Sequence, residues 1–233
     1  GVPPGSLASL FGVGFSTESA VASDVPLPRE LAGRYVEFAG ETRAPLLFVS
    51  PGQINFQAPV DAQAGNRTVF VRRADTDEPI AGGPVVVSPA RPGICTGSQD
   101  GRGAALALNQ DGTVNAASNP AARGSVVTFF GTGQGRTNPL VASGEPAPAG
   151  PLSTTAARPT TSQLECVREG FACAIVGSKI AEIQFSGLAP GFIGLWQLNV
   201  KIPEGDDVNT GDAVPFRVIL DRRASNVVSI SLR

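Results

Sequence analysis

The sequence predicts an all-β protein made of two tandem β-sandwich domains. Three observations point there: a duplicated pair of motifs, period-2 apolar alternation, and a composition that favours short strands and tight turns. The first motif reads Gly5-Ser6-Leu7-Ala8-Ser9-Leu10-Phe11-Gly12-Val13-Gly14. It recurs as Gly124-Ser125-Val126-Val127-Thr128-Phe129-Phe130-Gly131-Thr132-Gly133. The second, Gln53-Ile54-Asn55-Phe56-Gln57-Ala58-Pro59, recurs as Gln197-Leu198-Asn199-Val200-Lys201-Ile202-Pro203. Two motifs repeated in one order mean a duplicated unit. Among 233 residues there are 28 Gly and 20 Pro, with 42% hydrophobic and 16% charged residues. A chain this apolar builds cores, and its glycines and prolines punctuate strands.

Taken in order, Ser6 to Phe11 is a short apolar run stopped by Gly12 and Gly14, a strand and turn. Pro26 and Pro28 exclude a helix interior across residues 16–34. Arg34 to Phe38 and Ala44 to Val49 read as strands, followed by the turn Ser50-Pro51-Gly52. Ile54, Phe56 and Ala58 then alternate with Gln53, Asn55 and Gln57, the pattern of a half-buried strand. Thr68 to Arg72 and Pro84 to Val87 complete the first unit.

Pro89 and Pro92 bracket a short, stiff junction, which places the domains at 1–90 and 91–233. Ala104 to Leu108, the Asp111-Gly112 turn and Thr113 onward read as a hairpin. The second copy starts at Gly124. Between its motifs it carries about 25 residues more than the first. These fall mostly in the Pro-rich stretch 143–160, read as a long loop or edge, and in a hairpin closed by Cys166 and Cys173. Ile180 to Phe185, Trp196 to Ile202, Ala213 to Leu220 and Asn226 to Leu232 are further strands. Phe11, Phe56, Phe130 and Trp196 are the expected core aromatics.

Composition also excludes function classes. The chain has no His, so a His base and His-ligated metals are out. A net charge of −2 offers no field for nucleic acid or anionic lipid. No apolar run reaches the roughly 20 residues of a membrane helix, so membrane insertion is not expected. The sequence opens without Met or a charged-then-apolar leader, as in a processed or excised chain. Cys166 and Cys173 stand at hairpin spacing and predict a disulfide, hence an oxidising compartment. Cys95 is left over as a buried apolar thiol.

Each candidate site has a plainer reading beside it. Gly131-Thr132-Gly133-Gln134-Gly135 resembles a phosphate loop, but Asn138-Pro139 follows where a helix N-terminus is needed. Turn glycines account for it better. Glu204, Asp206, Asp207 and nearby Asp212 form the best Ca²⁺ candidate. Calcium needs roughly six to eight oxygens, several of them from carboxylates, and a solvated acidic loop is the simpler account. Asn109-Gln110-Asp111-Gly112 offers one carboxylate and is a good turn. Trp196 shares by alternation the face of Leu198 and Val200, which reads as core packing rather than a sugar platform. Asn55 and Asn199, on matching polar faces, are expected to bond loop backbone. No Gly-x-Ser-x-Gly elbow exists, and no aromatic-lined cleft accompanies the acids as a glycosidase requires. Neither a catalytic set nor a cofactor is predicted. Asn66-Arg67-Thr68 has the form of a glycosylation acceptor.

A family resemblance rests on five stretches. They are Pro4-Gly5-Ser6 with Phe11-Gly12, Pro45 to Asn55, Ala107 to Asn115, Asn119 to Ser125, and Gly187-Leu188-Ala189-Pro190-Gly191. Together they resemble the Solibacter-type uncharacterised C-terminal domain family, over nearly the whole chain. The resemblance implies tandem immunoglobulin-like modules of secreted acidobacterial proteins, with no assigned activity. The Cys hairpin and residues 158–165 depart from that pattern. The resulting expectation is a non-catalytic extracellular or cell-surface protein that self-associates as a fibre subunit. Its alternative is a carbohydrate-binding or adhesion accessory module of a larger secreted protein, for which a glycan is the candidate partner.

Overall fold

The computed structural model describes residues 1–38 and 42–233. All its regular structure is β, and it falls into two compact units. Unit 1 comprises Gly1–Pro89, Gly135–Ser153 and Ala189–Gly194; unit 2 comprises Ala90–Gln134, Thr154–Leu188 and Leu195–Arg233.

Unit 1 is a sandwich of two antiparallel sheets. Its strands are β1 (Leu7–Phe11), β2 (Ala20–Val21), β3 (Arg34–Phe38), β4 (Leu46–Val49), β5 (Gln53–Gln57), β6 (Gly65–Arg73) and β7 (Pro79–Val87). One sheet runs β1-β5-β4-β2 and the other β3-β6-β7. Alternation turns Ile54 and Phe56 of β5 inward, and Val36 and Phe38 of β3 meet them. Phe38 and Phe56 join the sheets edge to face, with ring centroids 6.2 Å apart.

Two segments from within the second copy complete this unit. The Gly144 carbonyl accepts from the Leu27 amide at 2.9 Å, and the Gly144 amide donates to Gln57 Oε1 at 2.7 Å. Gly144 has φ +88°, and a Cβ there would stand 3.2 Å from the Leu27 carbonyl oxygen, so only glycine fits without strain. The Ala147 amide in turn donates to the Phe192 carbonyl at 2.9 Å. Part of the Pro-rich stretch is therefore a clasp on the first sandwich.

The remaining strands are β8 (Gly93–Ile94), β9 (Ala107–Leu108), β10 (Val126–Thr132), β11 (Thr137–Asn138), β12 (Thr154–Thr155), β13 (Arg158–Pro159), β14 (Phe171–Val176), β15 (Lys179–Leu188), β16 (Trp196–Lys201), β17 (Gly211–Leu220), β18 (Arg223–Ala224) and β19 (Val228–Leu232). Apart from β11, which lies in unit 1, they form one curled sheet in unit 2 along the path β18-β17-β14-β15-β16-β10-β8. β15 makes the bend: its start pairs with β14, its remainder with β16, and a bulge lies between Ile183 and Phe185. Curling brings Phe129 of β10 and Phe216 of β17 into a stack 3.7 Å apart. Trp196, Leu198 and Val200 are fully buried beside them, and the indole N–H donates to Ser186 Oγ at 3.1 Å.

Several expectations are corrected here. Phe11 is 75% exposed, not core. Phe130 is half-buried, and its neighbour Phe129 takes the inward position. The reason is parity: with Ile54 and Phe56 inward on β5, the pairings Leu10↔Ile54 and Ala8↔Phe56 turn Phe11 outward. Residues 163–170 are turns rather than a hairpin arm. Cys166 and Cys173 are nonetheless bonded, with Cα atoms 5.5 Å apart, which ties those turns to β14.

Candidate functional site: the open face of the first sheet

The duplicated motifs pair in one register. Leu7↔Gln57 through Phe11↔Gln53 in β1–β5 match Val126↔Lys201 through Phe130↔Gln197 in β10–β16, residue for residue. Each pair of strands carries the same polar device. In unit 1, Ser9 Oγ donates to Asn55 Oδ1 at 2.8 Å and Gln53 Nε2 donates to the same oxygen at 2.7 Å. In unit 2, Thr128 Oγ1 and Gln197 Nε2 converge on Asn199 Oδ1 at 3.2 and 3.0 Å. The two asparagines thus bond strand side chains, not loop backbone as expected. Each fixes a cross-strand pair.

In unit 1 this device lies on an open surface. Cross-strand partners share a face, so Phe11 stands beside Gln53, and Ser9, Asn55, Phe48 and Val21 form a row across four strands. Phe11 and Val21 are 75% and 73% exposed, and Phe48 is half-buried. Phe11 and Phe48 sit on either side of β5, about 10–12 Å apart from strand spacing and register. Between them stand the carboxamides of Gln53 and Asn55, which hold both donors and acceptors. None of these side chains is charged. The face is a shallow neutral platform of two phenyl rings around a polar centre.

A second unit 1 surface, on β6 and β7, is a shallow groove lined by Thr68, Phe70, Ile80 and Gly82. Its ring is already engaged: Phe70 lies over Gly82, and the Arg72 guanidinium stands 5.0 Å from its centroid. Arg72 also meets Glu37 at 2.7 Å. Asn66 is exposed on β6.

The acidic residues singled out as a calcium candidate are each turned to a cation or apart. Glu204 meets Lys201 at 2.8 Å, Asp206 meets Arg123 at 3.4 Å, and Asp207 bonds Lys179. Asp212 lies on β17, and its carbonyl accepts from Ser231 Oγ. Among the described residues no three acidic or Cys side chains converge to hold a metal. The ammonium groups of Lys201 and Lys179 hold the carboxyls of Glu204 and Asp207 below their ordinary values.

Other motifs serve the fold. Gly131 ends within β10, and Gly133 and Gly135 have φ of +83° and +75°, so the glycine-rich run is strand and turn. Asp111 accepts from the amide and hydroxyl of Thr113, which keeps its carboxyl below the ordinary range. Asn115 is pinned to Ser231 by two bonds, at 2.8 and 2.9 Å, and to Asn109 by a third. Cys95 is half-buried, and burial pushes its thiol up.

No known protein family matches the chain, and no curated protein does. Among solved structures, the chain is similar to SGBP-B of the Bacteroides ovatus mixed-linkage glucan utilization locus, solved with a mixed-linkage heptasaccharide. The identity is 13% and the TM-score 0.36, covering 99% of this chain and 43% of that one. The chain therefore spans less than half the length of that structure.

Proposed function

We propose that this is a non-catalytic recognition module, exported to the cell surface or medium, whose first sandwich binds a neutral polysaccharide through the β1-β5-β4-β2 face. The observation that carries this reading is the outward pair Phe11 and Phe48 around Gln53 and Asn55. A pyranose ring presents apolar C–H faces that pack on phenyl rings and hydroxyls that pair with carboxamides. The absence of charge on the platform suits a neutral chain, and the ring separation suits an extended oligosaccharide rather than one sugar. The Cys166–Cys173 bond supports the oxidising location. Membership in the Solibacter-type family, with two tandem immunoglobulin-like modules, belongs to the same proposal.

This favours the alternative of the sequence reading over the self-associating fibre. A strand-to-strand fibre contact needs unpaired segments to offer a neighbour, and the first and last strand-like segments are paired within the chain: the Val2 amide donates to the Val86 carbonyl at 2.8 Å, and β19 pairs with β17.

The test is affinity electrophoresis and calorimetry against neutral polysaccharides with wild type, Phe11→Ala and Phe48→Ala. Phe11→Ala should weaken binding by about tenfold, the worth of one aromatic contact, with its melting temperature unchanged. Equal binding by the double variant and wild type refutes the site.

A further inference from the structure

The two copies of the first motif differ in what lies along their outer edge. Beside β10, Gly131 and Thr132 pair with Ile94 and Gly93, and Thr128 and Phe129 pair with Leu108 and Ala107. The Cys95 amide donates to the Phe130 carbonyl at 2.9 Å, the Phe130 amide to the Leu106 carbonyl at 3.4 Å, and the Arg91 amide to the Gly133 carbonyl at 2.8 Å. Asn226 grips Ile94 from beyond, accepting from its amide at 2.8 Å and donating to its carbonyl at 3.0 Å.

β1 has β5 on one side and, among the described residues, no strand on the other. Its register on β5 equals that of β10 on β16. The backbone groups of Ser9 and Phe11 therefore point outward, as those of Thr128 and Phe130 do. The glycines report the same difference independently. A Cβ on Gly133 would fall 1.8 Å from the Arg91 carbonyl oxygen, whereas at Gly14, the matching position with φ +71°, nothing lies within 4 Å. At Gly12 the Phe15 ring fills the inner side, which leaves the edge open along Ser9–Phe11 and Val13–Gly14. Val13 is 90% exposed. Residues 5–17 contain no charge and no proline, the devices that usually blunt a sheet edge.

We infer that the outer edge of β1 is a strand-acceptor site. It takes an extended, uncharged peptide from outside residues 1–233, antiparallel to β1, in the place that Gly93–Cys95 and Leu106–Leu108 hold beside β10. Those segments of the chain itself are already committed to β10, so the occupant is a different polypeptide stretch. The copy supplies its chemistry: an aliphatic residue opposite Ser9, as Leu108 faces Thr128, and a small one opposite Val13, as Gly93 faces Thr132. Main-chain hydrogen bonds provide the affinity, and alternate side chains the selectivity.

The experiment follows backbone amide exchange in the full-length protein. The probe is a synthetic peptide with the sequence of residues 104–110, which is uncharged and carries the Leu106 and Leu108 that serve Phe130 and Thr128, beside a scrambled control. The peptide should slow exchange at Ser9 and Phe11 by roughly tenfold at saturation and the scramble should not. Phe11→Pro, which removes an outward N–H, and Val13→Lys should each abolish the effect while leaving the melting temperature within a few degrees of wild type, about what an edge substitution costs. Unchanged exchange on adding peptide overturns the proposal, as does equal peptide binding by both variants. Slow exchange that depends on protein concentration alone makes a second copy the occupant and overturns the stated one.

Discussion

β1 and β10 are the same strand folded twice, and they end in different surroundings. Both pair antiparallel with the second motif in one register, and both carry the hydroxyl–Asn–Gln device on their outer face. In unit 2, β8 and β9 cover the far edge, and Val127 and Phe129 are fully buried. In unit 1 the edge is open, and the matching Ala8 and Leu10 are only partly buried. The difference teaches that a motif's pairing register and its burial are separate properties. Register comes from the two motifs themselves; burial comes from what flanks them. The copy relieved of flanking strands is the one whose Ser9 and Phe11 are exposed, where the matching Thr128 and Phe130 are half-buried.

The largest expected effect sharpens this contrast at the motif's last glycine. Gly133→Ala drives a Cβ into the Arg91 carbonyl and should destabilise unit 2 by about 5 kcal/mol or more, in the exceptional range for one substitution. Gly14→Ala meets only its positive φ and should cost about 1–2 kcal/mol. Denaturant unfolding of the two variants measures both. Next, Phe129→Ala should cost about 3–5 kcal/mol, while Phe11→Ala, at an exposed site, should stay within about 0.5 kcal/mol of wild type. Equal losses would mean that Phe11 is packed after all.

Smaller effects separate the two units in other ways. Reduction of Cys166–Cys173 frees a short loop in unit 2 and should cost about 2–3 kcal/mol in the chain-entropy picture, with no change in unit 1. Differential scanning calorimetry with and without reductant reads this. The smallest effect is electrostatic. Glu204 and Asp207 have folded-state values below their ordinary ones because of Lys201 and Lys179. Their contribution is present at neutral pH and is lost as pH falls through the lowered carboxylate range. These pairs are exposed, so the loss is small and screened by salt. Lys179→Ala should flatten the acid limb of the unit 2 stability curve and leave unit 1 unchanged.

Much of this was legible in the sequence. The alternation of Gln53 to Ala58 and the repeat at Gln197 placed β5 and β16, and the spacing of Cys166 and Cys173 predicted their bond. An aromatic in a strand reads as core, yet Phe11 is exposed and Phe130 half-buried. Pairing parity, fixed by Ile54 and Phe56 beside β1 and by Leu198 and Val200 beside β10, sends both outward and selects Phe129. Nothing in the apolar run Ala44 to Val49 singles out Phe48, because its outward turn depends on the bulge between Leu46 and Phe48. The clasp through Gly144 was not legible at all. It joins Leu27, Gln57 and Gly144, far apart in sequence, and no local period encodes such a contact. Two of the paired cations of the acidic loop are hidden likewise, since Arg123 reaches it from the turn before β10 and Lys179 from β15.

The most direct measurement of the central claim uses the duplication as its own control. The side-chain amide resonances of Gln53, Asn55, Gln197 and Asn199 can be followed while a neutral oligosaccharide is titrated into the protein. Those of Gln53 and Asn55 should shift and saturate together, and those of Gln197 and Asn199 should stay still. Shifts confined to Gln197 and Asn199, or none at any of the four across neutral oligosaccharides, would contradict the account.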